Sequence, residues 1–154
     1  MRRKFEFVER MIREKDDEYK TCMKLPERST KKSAGYDFYA VNDVLCESHK
    51  ITMIPTGIKA KMEDDETLLL FNRSSNPKKK GLIILNGVGV VDSDYYGNSD
   101  NDGEIAGLFY NMRDEDVVIN AGDKIMQGIF VKYAITEDDK AEGERTGGFG
   151  STGK

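Results

Sequence analysis

A carboxylate and an aromatic ring stand close together in the segment Asn86–Gly97. If the first part of this segment forms a hairpin, its glycines let backbone amides approach a planar ligand closely. The end of the segment then projects Asp92 and Tyr95 together, the first as a candidate general base and the second as a surface for the ligand. The pattern predicts a recognition site beside a proton acceptor, although an ordinary hairpin with a polar turn would give the same segment.

Two further segments could hold an anion, and a third carries an acid. Arg73-Ser74-Ser75 follows an apolar stretch and precedes a proline-containing turn, where a serine can cap a short helix and free amides can meet phosphate. Gln127 follows a tight turn at the start of an apolar stretch and, without a ligand, would simply face solvent. Asp37 stands among aromatic residues and alanines, where an acid suits either a partner arginine or a water on a metal.

The C-terminal segment Gly147–Gly153 combines glycines with hydroxyl residues and one aromatic ring. Glycines permit the backbone conformations of a wrapping loop, hydroxyls can donate to phosphate, and the ring can stack on a flat heterocycle. Arg145 adds a cation just before this segment. An unstructured terminus has a similar composition, so the tail alone leaves both interpretations open.

Composition excludes several classes of protein. The 154 residues suit one compact domain, and the net charge of −4 argues against a broad surface for nucleic acid. No apolar run approaches the roughly 20 residues of a membrane span, and the charged start leads into no apolar signal core. We therefore expect a protein of the cytoplasm, or of the host-cell cytoplasm if a virus encodes it, that binds neither nucleic acid nor membrane. Cys22 and Cys46 are expected to be reduced thiols.

Short apolar stretches bounded by glycine, asparagine, aspartate and proline fill the middle of the chain. This punctuation is typical of short strands and turns. The predicted strands are Gly35–Ala40, Lys50–Ile54, Thr56–Met62, Thr67–Phe71, Leu82–Leu85, Gly89–Asp92, Glu104–Asn111, Val117–Ile119 and Lys124–Tyr133. So many short strands, with no long helical period between them, predict an all-β sandwich, barrel or jelly roll.

The two ends of the chain differ from this all-β middle. Phe5–Val8 could add a strand, and apolar residues from Val8 to Met23 fall near helical spacing, which predicts a short helix. After Tyr133 the chain is polar and then glycine-rich, so it cannot bury a core and is expected to be mobile without ligand. One domain over 1–154 is expected, with an N-terminal strand and variable segment (1–33), a β-barrel core (34–133) and a mobile C-terminal arm (134–154).

Taken together, five segments between Ala34 and Lys154 occur in the order and spacing of five known signature motifs. The third and fifth, GVGVVDSDYYG and GGFGSTG, are specific, and the RSS and GDKIMQ segments support them. On these motifs the chain resembles the trimeric deoxyuridine triphosphatases (dUTPases). The resemblance implies a distorted jelly-roll β-barrel and a homotrimer whose active sites each draw on all three subunits. It also implies Mg²⁺-dependent hydrolysis of dUTP to dUMP and pyrophosphate, which lowers dUTP and supplies the dTMP precursor.

The resemblance assigns roles to the third motif. Asp92 resembles the general base, which takes a proton from the water that attacks the α-phosphorus. Tyr95 resembles the ring that packs under deoxyribose and leaves no space for a 2′-hydroxyl. Asn86 and Gly89 fall in the hairpin that would pair with the polar edge of uracil, where the amino group of cytosine would be mismatched.

The resemblance also implies how the triphosphate and its metal are held. Mg²⁺ would be bound mainly by the phosphates and waters, with Asp37 orienting a metal-bound water at most. Phe149, followed by Gly150, resembles the ring that closes over uracil. The residues expected to hold the phosphates are Arg73, Ser74, Ser75, Gln127, Arg145, Ser151 and Thr152.

Two departures from the family pattern stand out. Many members have two residues between the tail arginine and the Gly-Gly-Phe, whereas only Thr146 separates Arg145 from Gly147, which puts the role of Arg145 in doubt. The segment Asn98–Gly103 is inserted after the third motif, and we expect it to lie beyond the residues that do chemistry. The insertion and Arg10–Met23 are the places where a protein partner could dock.

The inserted segment also imitates a calcium loop. Its spacing copies the first eight positions of an EF-hand, with Asn98, Asp100 and Asp102 at alternate positions. The twelfth position is Phe109 instead of a bidentate glutamate, and a predicted strand follows in place of a helix. We therefore expect no specific Ca²⁺ site.

Two other functions compete with dUTP hydrolysis. The dCTP deaminases, including bifunctional ones, share the fold but use a catalytic glutamate on the strand after the third motif, where this chain offers only Glu104 at the edge of a turn. A trimeric binding protein that kept the fold and lost the chemistry is the second alternative. The presence of Asp92, Tyr95 and Phe149 together argues against it.

Overall fold

In a computed structural model of the chain, the residues described are 3–13, 22–145 and 147–149. Among them are one short helix, α1 (Glu9–Arg13), and two single helical turns, Asn76–Lys80 and Ser93–Tyr95. The strands are β1 (Lys4–Phe7), β2 (Tyr36–Tyr39), β3 (Val44–Cys46), β4 (Ile51–Lys61), β5 (Glu66–Asn72), β6 (Leu82–Ile84), β7 (Val88–Asp92), β8 (Ile105–Asn111), β9 (Val117–Ile119) and β10 (Lys124–Lys132). No helix in these ranges is long and apolar enough to cross a membrane.

Two four-stranded sheets, ordered β1-β4-β8-β6 and β2-β10-β5-β7, and a small β3-β9 sheet form the fold. Their ladders are antiparallel. Strand β8 alternates buried and partly buried residues along its whole length, because successive side chains of a strand point to opposite faces. The inward faces supply the core, whose largest fully buried side chains include Phe38, Ile54, Ile58, Leu68 and Phe109. The prediction of an all-β fold is confirmed.

One strand boundary was predicted wrongly at a proline. Strand β4 is continuous where two strands, ending at Ile54 and starting at Thr56, were expected. Pro55 has no N–H to donate, but it lies where the β4–β8 register shifts, and a bulge tolerates a missing donor. Gly57 follows with φ of +68°, and a Cβ there would lie 2.9 Å from Met11 Cγ. Strand β3, only three residues long, was not predicted at all.

The N-terminal helix is confirmed only in its first part. Helix α1 covers Glu9–Arg13, while residues 14–21 of the predicted helix lie outside the described ranges. Met11 packs with Val8 and Val41 in a small second core. The backbone N–H of Val8 donates to Gly57 O at 2.9 Å, which fixes the start of α1 against β4.

The predicted hairpin in Asn86–Gly97 is wrong. Strand β6 pairs with β8, and β7 pairs with β5, so consecutive strands belong to different sheets. The intervening turn crosses from one sheet to the other, with Gly87 at φ of +71° and the N–H of Leu85 donating to Leu108 O at 2.8 Å. Because the two sheets separate at this crossing, a gap opens between β7 and β8.

Candidate active site

The gap beside β7 is a cavity of about 370 Å³. Its wall is largely apolar, and its polar groups come from the crossing turn, the end of β7 and the C-terminal tail. The lining includes Met53, Leu70, Ile84, Asn86, Gly89, Val90, Asp92, Tyr95, Arg145, Gly148 and Phe149. A largely apolar pocket with a few convergent polar groups is the usual form of a small-molecule site.

Asp92 ends β7 on its outward face, and 54% of its side chain is exposed. Arg145 Nη2 lies 2.6 Å from Asp92 Oδ2, and Arg145 Nε lies 2.8 Å from Asp94 Oδ1. Only 9% of the Arg145 side chain is exposed. Burial opposes its charge, but the carboxylates of Asp94 and Asp92 outweigh that effect and raise the pKa of Arg145. The tail arginine therefore reaches the candidate base despite its unusual spacing from Gly147.

Tyr95 forms one wall of the cavity from the helical turn Ser93–Tyr95, and it is only 7% exposed. Its hydroxyl donates to Glu104 O at 2.9 Å and accepts from Asn101 Nδ2 at 2.7 Å. Burial raises the pKa of Tyr95, so the phenol stays neutral. The Phe149 ring packs edge-on at 5.8 Å between centroids. Asp92, Tyr95 and the tail of the same chain thus lie around one cavity.

Asn86 and Gly89 line the same cavity from the crossing turn and from β7. The backbone O of Asn86 accepts the N–H of Val88 at 2.8 Å, which tightens the turn. A Cβ on Gly89 would lie 3.1 Å from Leu70 Cβ, so glycine allows β7 to pack closely on β5 at the cavity wall.

A second group of candidates lies at the other end of β5. Arg73 Nε is 3.2 Å from Asp37 Oδ1, while Lys124 Nζ and Ser29 Oγ lie 2.7 and 2.8 Å from Asp37 Oδ2. Burial alone would raise the pKa of Asp37, but Lys124, Ser29 and Arg73 together lower it. Of the two partners left open for Asp37, the structure therefore shows an arginine.

Gln127 and the two serines complete this second group. Gln127 is paired in register with Asp37 across β10 and β2, and a Cβ on Gly35 would lie 2.4 Å from its Oε1. The glycine therefore leaves room for the Gln127 side chain. Ser75 stands at the start of the turn Asn76–Lys80 but makes no side-chain capping hydrogen bond, so the predicted cap is wrong. Ser74 is exposed beside it.

The two groups do not meet within one chain. Asp92 pairs with Thr67 across β7 and β5, and Arg73 lies six residues further along (67 to 73). At about 3.3 Å per residue this is a separation of about 20 Å. The Arg73 side chain also reaches Asp37 on β2, which lies on the far side of β5 from β7 in the sheet order.

A family model for dUTPase matches residues 21–153. The chain belongs to the dUTPase family. A deoxyuridine 5'-triphosphate nucleotidohydrolase of Lactococcus lactis is 48% identical over 131 residues, which cover 84% of this chain and 87% of that protein. One from Helicobacter pylori strain Shi470 is 32% identical over 136 residues, covering 84% of this chain and 88% of its own.

Solved structures of dUTPases share the fold. The crystal structure of the dUTPase from Streptococcus mutans has a TM-score of 0.77 at 41% identity, covering 86% of this chain and 98% of that one. The dUTPase of phage phi11 of S. aureus has a TM-score of 0.70 at 21% identity, covering 93% and 97%, and supports the fold alone. The predicted jelly-roll fold of the dUTPases is thereby confirmed.

The inserted segment lies closer to the dUTPase motifs than expected. Asn101 contacts the Tyr95 hydroxyl, and Asp100 Oδ2 accepts the N–H of Gly148 at 2.7 Å, so the expectation that Asn98–Gly103 lies beyond the site is wrong. Asp102, part of the calcium-loop imitation, instead lies 2.8 Å from Lys59 Nζ. Sequence reasoning missed Asn101 and Asp100, although their place directly after the third motif was a usable signal.

Two further expectations concern the end of the tail and Glu104. Gly150, Ser151 and Thr152 of the fifth dUTPase motif fall outside the described residues. Glu104, the only acid that the deaminase alternative could use, has its carboxylate bound by Arg10 Nε at 3.0 Å and by the N–H of Gly57 at 2.9 Å. An acid held by these partners, away from the cavity lining, does not favour a deaminase.

Proposed function

We propose that the chain hydrolyses dUTP to dUMP and pyrophosphate in the cavity beside β7, with Asp92 as the general base. The observation that carries this proposal is the exposed Asp92 carboxylate at the rim of an apolar cavity walled by Tyr95. A water between Asp92 and the α-phosphorus would lose its proton to the carboxylate as its oxygen bonds to phosphorus and pyrophosphate leaves. Cavity walls that exclude other water would keep this one aligned.

Arg145 occupies Asp92 Oδ2 within the chain, which would hinder the carboxylate as a base. Its guanidinium now binds Asp92 and Asp94, and a triphosphate offers a competing acceptor with matching bidentate geometry. We propose that the arriving phosphates draw Arg145 away from Asp92, with Ser151 and Thr152 as further phosphate partners. Phe149, followed by Gly150, then covers the base of the nucleotide.

Selection of the nucleotide follows from the cavity walls. The buried Tyr95 ring would pack under the deoxyribose and leave no volume for a 2′-hydroxyl. Asn86 and the backbone around Gly89 would pair with the polar edge of uracil. Cytosine presents an amino donor where uracil presents an acceptor, and an unpaired buried polar group discriminates strongly.

We propose that Arg73, Ser74, Ser75 and Gln127 hold phosphates for Asp92 of another chain. A general base must lie within hydrogen-bond reach of its proton, and about 20 Å along β5 separates the two groups in one chain. A homotrimer with sites shared between subunits satisfies this requirement. The exposed apolar side chains Val88 and Val90 beside Asp92 support a subunit contact there.

The phosphates of the substrate offer Mg²⁺ more ligands than the described residues of the chain do. Within the described ranges, no group of three His, Cys, Asp or Glu side chains could hold a metal, and both Asp37 oxygens have cationic or hydroxyl partners. Mg²⁺ is commonly bound through substrate phosphates and water, where it neutralises charge on the leaving pyrophosphate. We propose that Asp37 chiefly positions Arg73 and at most orients a metal-bound water. A structure of a phage phi11 dUTPase mutant describes a structural Mg(II) ion in that protein.

Product analysis tests this function directly. Pyrophosphate release should be far faster from dUTP than from dTTP, dCTP or UTP, and dCTP should yield no ammonia. Ammonia from dCTP would establish the deaminase alternative, and equal rates with UTP would contradict the role of Tyr95.

We also propose that the protein acts in the cytoplasm. Its two cysteines, Cys22 and Cys46, are free thiols, which is typical of proteins in a reducing compartment.

A further inference from the structure

The inserted segment Asn98–Gly103 is an ordered loop built around Asn98. The buried Asn98 side chain donates from Nδ2 to Tyr95 O and to Asn101 Oδ1, both at 2.8 Å. Its Oδ1 accepts the N–H groups of Asp100 and Asn101 at 3.0 and 3.2 Å. Because these bonds tie Tyr95, Asp100 and Asn101 to one amide, the loop holds Asn101 beside Tyr95.

The orientation of the Asn101 amide is set by its partners. Its Oδ1 accepts from Asn98 Nδ2 and from the N–H of Gly103 at 3.1 Å, so a flipped amide would place its donors against two donors. Nδ2 is thereby directed at the Tyr95 hydroxyl, 2.7 Å away. The single phenol hydrogen is donated to Glu104 O at 2.9 Å. The hydroxyl therefore needs a donor at position 101, and Asn101 supplies it.

The same loop contacts the tail. Asp100 Oδ2 accepts the N–H of Gly148 at 2.7 Å, and a Cβ on Gly148 would lie 3.4 Å from Asn101 Nδ2. Phe149, the next residue, packs edge-on against Tyr95. The loop surface formed by Asp100 and Asn101 therefore receives the tail of the same chain in the structure.

The loop is also tied to the rest of the fold. Asp102 lies 2.8 Å from Lys59 Nζ on β4 and accepts the N–H of Glu9 at 2.8 Å. Gly103 closes the loop at φ of +82°, where a Cβ would lie 2.7 Å from Tyr95 O. Any side chain at position 103 would therefore displace the backbone of Tyr95. These contacts fix the loop against β4, α1 and the backbone of Tyr95.

We propose that Asn101 is a positioning residue for sugar discrimination, and that Asp100 seats the closing tail. Asn101 acts through the Tyr95 hydroxyl, holding the ring where it excludes a 2′-hydroxyl, and Asp100 holds the Gly148 backbone beside it. The inference rests on the proposed role of Tyr95 in rejecting UTP. It assigns a catalytic support function to a segment that otherwise looks like a lengthened turn.

A double-mutant cycle tests the action of Asn101 through Tyr95. The variants are Asn101→Leu, Tyr95→Phe and the pair, and the measured quantity is the ratio of kcat/KM for UTP to that for dUTP. Asn101→Leu should raise this ratio about fivefold, as expected from losing about one hydrogen bond. In the Tyr95→Phe background, the same substitution should change the ratio less than about twofold, because coupled residues are not additive.

Tyr95→Ala separates the role of Asn101 from the role of Tyr95. If Tyr95→Ala raises the ratio and Asn101→Leu does not, the role of Asn101 is overturned while that of Tyr95 stands. If Tyr95→Ala leaves the ratio unchanged, both are overturned. Equal, additive effects of Asn101→Leu in both backgrounds would also overturn the proposal. Should Asn101→Leu not fold, Asn101→Asp keeps an oxygen for the loop but replaces the donor, and it should raise the ratio similarly.

The contact between Asp100 and the tail is tested by the KM for dUTP. Asp100→Ala removes the acceptor for the Gly148 N–H, so KM for dUTP should rise about threefold while the ratio of UTP to dUTP stays constant. Asp114→Ala, which removes an exposed carboxylate beside His49, is the matched control and should change neither quantity. A KM unchanged by Asp100→Ala would overturn this half of the proposal.

Discussion

The chain carries two polar regions that differ in almost every physical respect. The cavity region, around Asp92 and Tyr95, has apolar walls, an exposed carboxylate and a tail that covers it. The proposed phosphate region, around Asp37 and Arg73, is a cluster of charged and hydroxyl groups in which one carboxylate is shared among Lys124, Ser29 and Arg73. The first region has the form that we propose for binding a flat ligand and activating water, while the second holds cationic groups around one carboxylate.

The difference is the basis for proposing that neither region suffices for the reaction. Asp92 is the proposed general base, and its cationic partner within the chain is the tail Arg145. The phosphate region has cationic and hydroxyl groups but its acid, Asp37, is occupied by them. Since about 20 Å along β5 separates the regions, we propose that the complementary halves come from different chains.

The largest effect should come from removing the carboxylate of the cavity region. Asp92→Asn should lower kcat for dUTP by at least about 10²- to 10⁴-fold, because an amide of the same shape cannot accept the proton from water. Nucleotide binding should remain nearly unchanged. Steady-state pyrophosphate release and equilibrium binding of a non-hydrolysable analogue measure the two quantities.

Asp94→Asn is the matched control for this substitution. It removes the other carboxylate that binds Arg145 and makes the same change in net charge. We expect kcat to change less than about threefold, the scale of a partly exposed ion pair. If Asp94→Asn were as inactive as Asp92→Asn, the loss would come from the freed Arg145 and not from a missing base.

Mixed oligomers test whether the two regions serve different chains. Asp92→Asn and Arg73→Met homotrimers should both be nearly inactive. After co-refolding equal amounts, a site needs Asp92 from one chain and Arg73 from another, which random mixing provides at about 25% of sites under cyclic symmetry. Activity should therefore return to about a quarter of the wild-type value. Mixed trimers seen by native mass spectrometry that stay inactive would contradict the shared site.

Mixed oligomers also test which chain supplies the tail to a given Asp92. Arg145 contacts Asp92 of its own chain in the structure, whereas the family resemblance implies a tail from a different subunit. Mixing Asp92→Asn with a chain truncated before Gly147 separates these arrangements. Recovery to about 25% assigns the tail to another chain, because no chain in the mixture has both parts intact. No recovery assigns the tail to its own chain.

Strand positions were predictable from sequence to the extent that they depend on local pattern. Val117–Ile119 was predicted with its observed ends, because three consecutive β-branched residues stand between polar turns. Pro55 misled the prediction at β4, since proline usually interrupts a ladder and here occupies a bulge. The hairpin between β6 and β7 was wrong because partner choice depends on distant strands β8 and β5.

Site residues were likewise predictable only where they lie close together in the sequence. Asp92 and Tyr95 were predicted together because they are three residues apart in one segment. The contact of Asn101 with Tyr95 was missed, since a polar insertion in a turn has the composition of a solvated loop. The separation of Asp92 from Arg73 could not be read from sequence either, because it follows from the register between β5 and β7.

A smaller effect is expected from the acid of the phosphate region. Asp37→Asn should lower the free energy of unfolding by about 2 kcal/mol at pH 7 and fixed chain concentration, because Arg73 and Lys124 lose a shared charged acceptor. Asp64→Asn, at an exposed carboxylate, is the control and should change it little. Urea unfolding followed by circular dichroism measures the difference. Equal stability of the two variants would show that Asp37 does not order this region.

The pH dependence has a definite sign. The pKa of Asp37 lies below its ordinary value, so its stabilisation is fully present above the unfolded value of about 3.9 and is lost as pH falls through the folded value. The difference in unfolding free energy between wild type and Asp37→Asn should therefore shrink below about pH 4. A difference that grows with acidification would contradict the ion pairing.

The smallest effect should follow from removing only one cation of the phosphate region. Lys124→Met leaves Asp37 with Arg73 and Ser29, and the lysine side chain is partly exposed, so the loss in unfolding free energy should stay below about 1 kcal/mol. In the Asp37→Asn background, Lys124→Met should cost less still, because its partner is already gone. A loss as large as that of Asp37→Asn would mean that Lys124, not Arg73, is the partner that orders Asp37. Asp37 would then not position Arg73 for a neighbouring chain. The proposed role of the phosphate region, as the complement of the cavity region, would be contradicted.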